Sequence, residues 1–229
     1  KEDFKLCCVF TFLVIFFKYP FLILSIPVLL VEAIIGKFNR KGKRLQLSSQ
    51  LSSGDFVVFL WITGVETTVI GEEQVPDEPV LFVGNHRSYF DILLTYSRCK
   101  RLTGYVAKKE MERFPLLNNW MRNLYCLFLD RDNFKKKDQD NSDGIDYIKQ
   151  GISICIFPEG TRNTGEELSM LPFKDGALKI ADKTGCAIVP ISMNNTAEIF
   201  ETTAKERYKG ISENPEEHVI IEYGKPIYP

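Results

Sequence analysis

The 229-residue sequence has no excess of basic charge: 29 Lys and Arg face 30 Asp and Glu, for a formal net charge of −1. A protein that binds nucleic acid along its surface needs a clear basic surplus, so bulk nucleic-acid binding is excluded. Histidine is scarce, with only His86 and His218, far apart in sequence. The six cysteines include no C-x-x-C pair, and Cys126, Cys155 and Cys186 lie inside apolar runs. They read as buried, reduced thiols of a protein on the cytoplasmic side, not as a disulfide framework. No G-x-S-x-G elbow surrounds any serine, which removes the usual setting of a serine nucleophile. There is no internal repeat and no low-complexity tract.

Long uninterrupted apolar runs are also missing. Residues 6–17 are largely apolar, Lys18-Tyr19-Pro20 interrupts them, and residues 21–35 resume with Pro27 inside and Glu32 near the end. Neither run reaches the roughly 20 residues of a clean membrane span, and the second contains a helix breaker. No small-residue cleavage site marks them as a secretory signal. Two arrangements fit: one long kinked span, or a helical pair dipping into one leaflet. The pair is the favoured expectation. Lys18-Tyr19-Pro20 makes a polar bend, and residues 37–44 (KFNRKGKR) hold five basic residues and no acid, suited to anionic head groups. Residues 1–44 are therefore read as a membrane-associated helical hairpin with a basic juxtamembrane cluster, and residues 45–229 as one α/β domain. The expected location is the cytoplasmic face of the cell membrane.

Beyond residue 44, a connector helix is expected through about residue 62. Short β-branched or apolar runs bounded by glycine, proline and charged residues then predict strands at 64–70, 80–83, 104–107, 125–129, 152–157, 187–191 and 218–223. The last reads as an edge strand. Helical spacing follows most of them, at 92–96, 116–124, 143–150 and 174–183, with Gly151 and Gly185 as terminators. Strands alternating with helices imply a mostly parallel sheet flanked by helices.

The sequence Asn85-His86-Arg87-Ser88-Tyr89-Phe90-Asp91 follows one of these strands and opens a helix, the position where open α/β sheets hold reactive groups. An imidazole there can take a proton near pH 7. Asp91, in the first helical turn, can hold one ring nitrogen and leave the other free as a base. The plain alternative is a turn histidine satisfied by its aspartate. Ser88 reads as a helix cap. Two further strand ends carry Asp130-Arg131 and Glu159-Gly160-Thr161-Arg162. If all three face one sheet edge, Arg131, Arg162 and one or both of Lys108 and Lys109 surround the histidine with cations, and arginine forks suit phosphate. Glu159 and Arg162 could instead pair with each other across the turn. A base beside a phosphate pocket points to deprotonation of a hydroxyl on a phosphorylated substrate.

At these residues the chain resembles the glycerolipid acyltransferases, specifically the 1-acyl-glycerol-3-phosphate acyltransferases. The NHxxxxD block stands at residues 85–91, a strand closing on arginine at Leu127-Phe128-Leu129-Asp130-Arg131, FPEGTR at 157–162, and a VPI strand at Val189-Pro190-Ile191. Phe173-Lys174-Asp175-Gly176-Ala177 resembles the usual link between the last two. The order and spacing hold over about residues 65–195. Tyr125-Cys126 stands where a glycine often precedes the second block, and Asn163 where a serine often follows the third.

The resemblance implies that His86 deprotonates the sn-2 hydroxyl of lysophosphatidic acid, which attacks an acyl thioester directly, with Asp91 orienting the ring. It implies that Lys108, Arg131 and Arg162 hold the acceptor phosphate and that Glu159, Gly160 and Thr161 shape the pocket. No metal, no cofactor and no covalent intermediate are implied; the co-substrate is acyl-CoA or acyl-carrier protein, and the bilayer is a partner. The same chemistry on glycerol-3-phosphate, another lysophospholipid or a lipoamino acid is the nearer alternative, and a non-catalytic lipid-binding module the more distant one.

Overall fold

The computed structural model describes residues 65–129, 134–165, 169–174, 176, 178–197 and 218–229, with Pro27, Leu30 and Leu60 as single positions. The expected N-terminal hairpin, the connector helix and the Asp130-Arg131 pair lie outside the described residues. Among the described residues no helix is long and apolar enough to cross a membrane.

The elements in chain order are β1 (Glu66–Ile70), β2 (Leu81–Gly84), α1 (Phe90–Ser97), β3 (Thr103–Lys108), α2 (Leu117–Asn123), β4 (Leu127–Leu129), α3 (Phe134–Lys149), β5 (Ser153–Ile156), α4 (Lys179–Thr184), β6 (Ile188–Asn194) and β7 (His218–Tyr223). Short 3-10 turns cover Glu72–Gln74 and Lys109–Arg113. The strands form one sheet in the order β1-β7-β6-β2-β5-β3-β4. Every pairing is parallel except that of β6 with β7.

Alternation along the central strands divides the core between the two faces of the sheet. Phe82, Tyr105, Cys155 and Val189 pack on one side with Phe90 and Leu94 of α1. Leu81, Leu127 and Ile154 pack on the other with Ile148 of α3 and Ile180 of α4. Helices therefore cover both faces, which explains why β2 is apolar throughout and β5 is apolar at every position but Ser153, whose hydroxyl accepts the Val80 N–H.

The expectation that His218–Tyr223 forms an edge strand is corrected. β7 is an inner strand, between β1 and β6, and the edges are β1 and β4. Val219, Ile221 and Tyr223 are buried. Alternation reports which side chains face the core, but not whether both backbone edges are paired, so the sequence could not separate the two cases.

The topology sets the position of the site. The chain leaves β2 through α1 to reach β3 on one side of the sheet, and leaves neighbouring β5 through α4 to reach β6 on the other. Adjacent strands whose connections run in opposite directions leave a crevice beyond their C-terminal ends, the switch point of an open α/β sheet. His86 leaves β2 and Phe157 leaves β5, so the first and third blocks flank this crevice.

Candidate active site

The turn after β2 is built by Asn85. Its side-chain amide donates to the Met193 carbonyl at 2.8 Å, and its carbonyl oxygen accepts from the Met193 N–H at 2.8 Å. The side chain thus continues the β2–β6 hydrogen bonding after the backbone has turned away, and fixes where the next residue emerges. His86 is then held on four sides. Its backbone N–H donates to Glu159 Oε1 at 3.0 Å, and its carbonyl accepts from the Asn163 N–H at 2.7 Å. Its ring stacks on Phe157, with centroids 4.3 Å apart and planes 11° from parallel. Its Nδ1 lies 2.8 Å from Asp91 Oδ2.

Asp91 is fully buried in the first turn of α1. The same Oδ2 also accepts the backbone N–H groups of Arg87 at 2.8 Å and Ser88 at 2.9 Å. An oxygen that receives two backbone donors acts as an acceptor toward the third neighbour as well, so Nδ1 carries its hydrogen toward Asp91. That leaves Nε2 as the basic nitrogen. The His86 side chain is 14 % exposed, enough for a ligand to reach one edge of the ring. Ser88 is fully buried, and its Oγ accepts the Phe90 N–H at 3.0 Å just before α1, whose N-cap position is held by Tyr89 and not by the serine.

Two glycines make room for this arrangement. A Cβ on Gly84 would lie 3.3 Å from the Phe157 ring and 3.4 Å from the Met193 methyl, so the bare backbone lets Phe157 slide beneath His86. Gly160 has φ +70, and a Cβ there would also meet Lys174 Cε and Nζ at 2.9 Å. Because the lysine end can move aside, backbone strain sets the cost. Gly160→Ala is expected to lower unfolding stability by about 1–2 kcal/mol in chemical denaturation.

Glu159 is buried, at 3 % exposure. Its Oε1 accepts from His86, and its Oε2 accepts the Leu171 N–H at 2.9 Å. Both carboxylate oxygens thus bind backbone, tying the His86 turn to the segment that leads into Lys174. Asn163 organises the rest of this loop: its amide donates to the Ser169 carbonyl at 2.7 Å, and its Oδ1 accepts the Gly165 N–H at 2.9 Å. A serine, the residue often found here, is too short to span both partners. Arg87 donates from Nη2 to the Gly165 carbonyl at 2.8 Å, so the first block grips the same loop.

Thr161 is exposed. Arg162 lies across Tyr89, with its guanidinium carbon 4.1 Å from the ring centroid. Tyr89 belongs to the His86 block, so the third-block arginine and the imidazole share one side of the molecule. Lys108 is exposed at the C-terminal end of β3, on the same sheet edge. Arg131 follows β4, which also runs parallel to β3, and itself lies outside the described residues.

The sequence reading missed the parts played by Asn85, Phe157, Tyr89 and Asn163. Each acts through a partner at least several residues away, and no spacing within the chain advertises such a contact. Tyr125 adds a local surprise: it has φ +58 where a glycine often stands, and its buried ring packs edge-on against Tyr147 at 5.2 Å.

Cys126 and Cys155 are held as thiols, not thiolates. Burial pushes the Cys126 thiol up to about 11 and the Cys155 thiol well above its ordinary value. Among the described residues no cluster of His, Cys, Asp and Glu could hold a metal ion. A cavity of about 230 Å³ lies toward the opposite edge of the sheet, against Val80, Thr103 and Ser153 at the strand starts, and contains none of the site residues.

Fold and site together define an α/β protein with a histidine–aspartate pair at the switch point of a mostly parallel sheet. Residues 66–194 match the sequence model of the Acyltransferase family, and the chain belongs to that family. The 1-acyl-sn-glycerol-3-phosphate acyltransferase of Helicobacter pylori is 31 % identical over 191 residues, 83 % of this chain and 77 % of the relative. A probable 1-acyl-sn-glycerol-3-phosphate acyltransferase of Mycoplasma pneumoniae is 28 % identical over 176 residues, 75 % of this chain and 65 % of the relative. The chain spans 45–65 % of the length of this and three other curated relatives it matches. The crystal structure of the 1-acyl-sn-glycerophosphate acyltransferase of Thermotoga maritima superimposes with a TM-score of 0.65 over 96 % of this chain and 82 % of that one, at 23 % identity, which establishes a common fold.

Proposed function

We propose that the chain transfers an acyl group from an acyl thioester to the sn-2 hydroxyl of 1-acyl-glycerol-3-phosphate, yielding phosphatidic acid. The observation that carries this reading is the 2.8 Å contact between His86 Nδ1 and buried Asp91, which leaves Nε2 as the basic nitrogen of the ring. Nε2 takes the hydroxyl proton as the oxygen attacks the thioester carbonyl, and Asp91 faces the positive charge that forms on the ring. Collapse of the tetrahedral intermediate breaks the C–S bond, and the proton passes from His86 to the departing thiolate. No covalent enzyme intermediate is required, in keeping with the buried Ser88 hydroxyl and the Cys126 and Cys155 thiols that burial pushes up. Arg162, Lys108 and Arg131 hold the acceptor phosphate, bidentately where a guanidinium is the donor. The acyl group arrives on coenzyme A or on acyl-carrier protein. Because acceptor and product are lipids, the reaction belongs at the bilayer, and residues 1–44 would anchor the domain to its cytoplasmic face.

Thiol release from acyl-CoA and from acyl-carrier protein, followed with lysophosphatidic acid, glycerol-3-phosphate and neutral lysolipids, tests the assignment. Lysophosphatidic acid is expected to give the highest kcat/KM; an equal value for a neutral lysolipid would overturn the acceptor assignment. Arg162→Ala should raise the apparent KM for lysophosphatidic acid by about tenfold or more, the scale of a lost charged hydrogen bond. A change confined to the thioester KM would contradict the phosphate role.

A further inference from the structure

Three large apolar side chains face water beside the crevice. Phe114, Met170 and Phe173 are 55 %, 59 % and 47 % exposed. A single exposed apolar residue is ordinary, but these stand on the connections that leave two neighbouring strands at one sheet edge. Phe114 ends the 3-10 turn that follows β3, and Met170 and Phe173 lie in the connection that follows β5. β5 pairs in parallel with β3 on one side and on the other with β2, which delivers His86. The three residues therefore belong to the rim of the crevice.

Their exposure is built into the backbone. The Leu171 N–H donates to buried Glu159 Oε2 at 2.9 Å, and the Lys174 N–H donates to the Pro158 carbonyl at 3.0 Å. Both bonds fasten the segment to the third block while Met170, Pro172 and Phe173 stay outside. Phe114 is fixed as well: its N–H donates to the Met111 carbonyl at 3.3 Å, and its carbonyl accepts the Asn118 N–H at 3.0 Å. Exposed cations adjoin the rings, Arg113 beside Phe114 and Lys174 beside Phe173. Among the described acids of the two connections, Glu159 is buried and Glu112 is paired with Arg122 at 2.6 Å, which leaves Glu110 facing solvent. Apolar side chains held out of the core beside cations suit the boundary of an anionic bilayer, where the ring meets acyl chains and the cation meets head groups.

We infer that the mouth of the crevice is itself a membrane-contacting surface: Phe114, Met170 and Phe173 enter the head-group region of an anionic bilayer, with Arg113 and Lys174 at its phosphates. This contact is separate from the anchoring expected of residues 1–44. It opens the crevice to the leaflet, so that a lysolipid reaches the site without crossing water. The purpose of the contact rests on the acyl-transfer reading above, and the experiment separates the two.

Reporters are placed in the full chain as Phe114→Trp, Phe173→Trp and, as a control, Tyr228→Trp. Tyr228 is 63 % exposed and follows Ile227, which bonds Ile188 at the start of β6, on the opposite sheet edge. Wild-type fluorescence supplies the baseline. On phosphatidylcholine vesicles with about one-quarter phosphatidylglycerol and brominated acyl chains, the emission added at positions 114 and 173 should fall by about half. The emission added at position 228 should not change. The Phe114→Ser/Phe173→Ser double variant should lose about tenfold in kcat/KM for long-chain lysophosphatidic acid in these vesicles. Its rate on a short-chain lysophosphatidic acid dissolved as monomer should stay within about twofold of wild type. Equal quenching at all three positions, or none at 114 and 173, would overturn the inference. So would shielding of the indoles at 114 and 173 from acrylamide without lipid, which would show that the chain itself covers the surface. Shielding by acyl-carrier protein and not by vesicles would overturn it too. Wild-type turnover of neither lysophosphatidic acid would overturn the acyl-transfer reading, while the bromolipid result would still decide the membrane contact.

Discussion

His86→Ala is expected to reduce kcat by about 10³-fold while leaving the KM for lysophosphatidic acid within a few-fold of wild type. The magnitude follows from the role. A positioned general base contributes about 10²–10⁴ to rate, and among the described site residues no second group is placed to take the hydroxyl proton. The chain has one other histidine, His218, whose Nε2 lies 2.7 Å from Thr68 Oγ1 on the paired strands β1 and β7, away from the switch point. His218→Ala is therefore the matched control and should keep full rate. The His86 variant should fold. Asn85 still bonds Met193, and the backbone groups of residue 86 still meet Glu159 and Asn163. Circular dichroism and sedimentation in detergent can check this before the assay. A variant that folds and turns over at the wild-type rate would remove the base assignment, and with it the mechanism.

Asp91→Asn is expected to have the second-largest effect, a loss of about 10²–10³ in kcat. The amide has the same shape, and its one oxygen can still accept the Arg87 and Ser88 N–H groups that now share Oδ2. What it removes is the negative charge 2.8 Å from the ring nitrogen at the moment the ring becomes cationic. Asp91→Ala also deletes the acceptor, leaving two backbone donors in a fully buried turn without their partner. Each such group costs about 1–3 kcal/mol, so this variant should lose both rate and thermal stability. Comparing the two substitutions separates charge from architecture. Should Asn match wild type while Ala is inactive, the carboxylate would be a structural cap, and the plain alternative of a satisfied turn histidine would be the better description.

The other features of the site show why its parts depend on one another. Glu159 accepts N–H groups from His86 and from Leu171, which lie 85 residues apart in numbering. Asn163 and Arg87 fasten the same loop from the two blocks. A buried carboxylate with both oxygens bonded to backbone works as a clamp, because any shift of either strand end costs a charge-assisted hydrogen bond. The structure therefore gives Glu159 a load on the backbone of the turn that carries His86, beyond the pocket-shaping part that the family resemblance suggested.

Much of this was readable in one dimension, and the reasons are local. β2 appeared as a short apolar run because it is buried on both faces, whereas β7 appeared as an alternating run because only one of its faces is fully buried. Gly151 and Gly185 were legible as terminators because each takes a left-handed conformation that other residues resist, with φ of 91 and 70. The His86–Asp91 pair was legible because five residues across a helix start bring the two side chains together without help from the rest of the fold.

Other elements were not. The helix expected from residue 174 begins only at Lys179, since the preceding segment is drawn back by the Lys174 N–H donating to the Pro158 carbonyl at 3.0 Å. The inner placement of β7 depends on β1 arriving from more than 140 residues upstream to pair with its second edge. Tyr125 in a left-handed conformation contradicts its own backbone preference and is held by packing.

The amino-acid sequence alone raised the expectation of this chemistry: a histidine with an aspartate five residues on, followed at strand ends by cations suited to phosphate. It also determined the class of fold, through the alternation of short apolar strands and helices. Only the tertiary structure decided that the first and third blocks face each other, that Phe157 lies under the imidazole, and that Arg162 rests on Tyr89. Side-chain chemistry and short-range periodicity are properties of neighbouring residues, whereas the crevice exists because two adjacent parallel strands send their connections in opposite directions, a relation between segments some 70 residues apart.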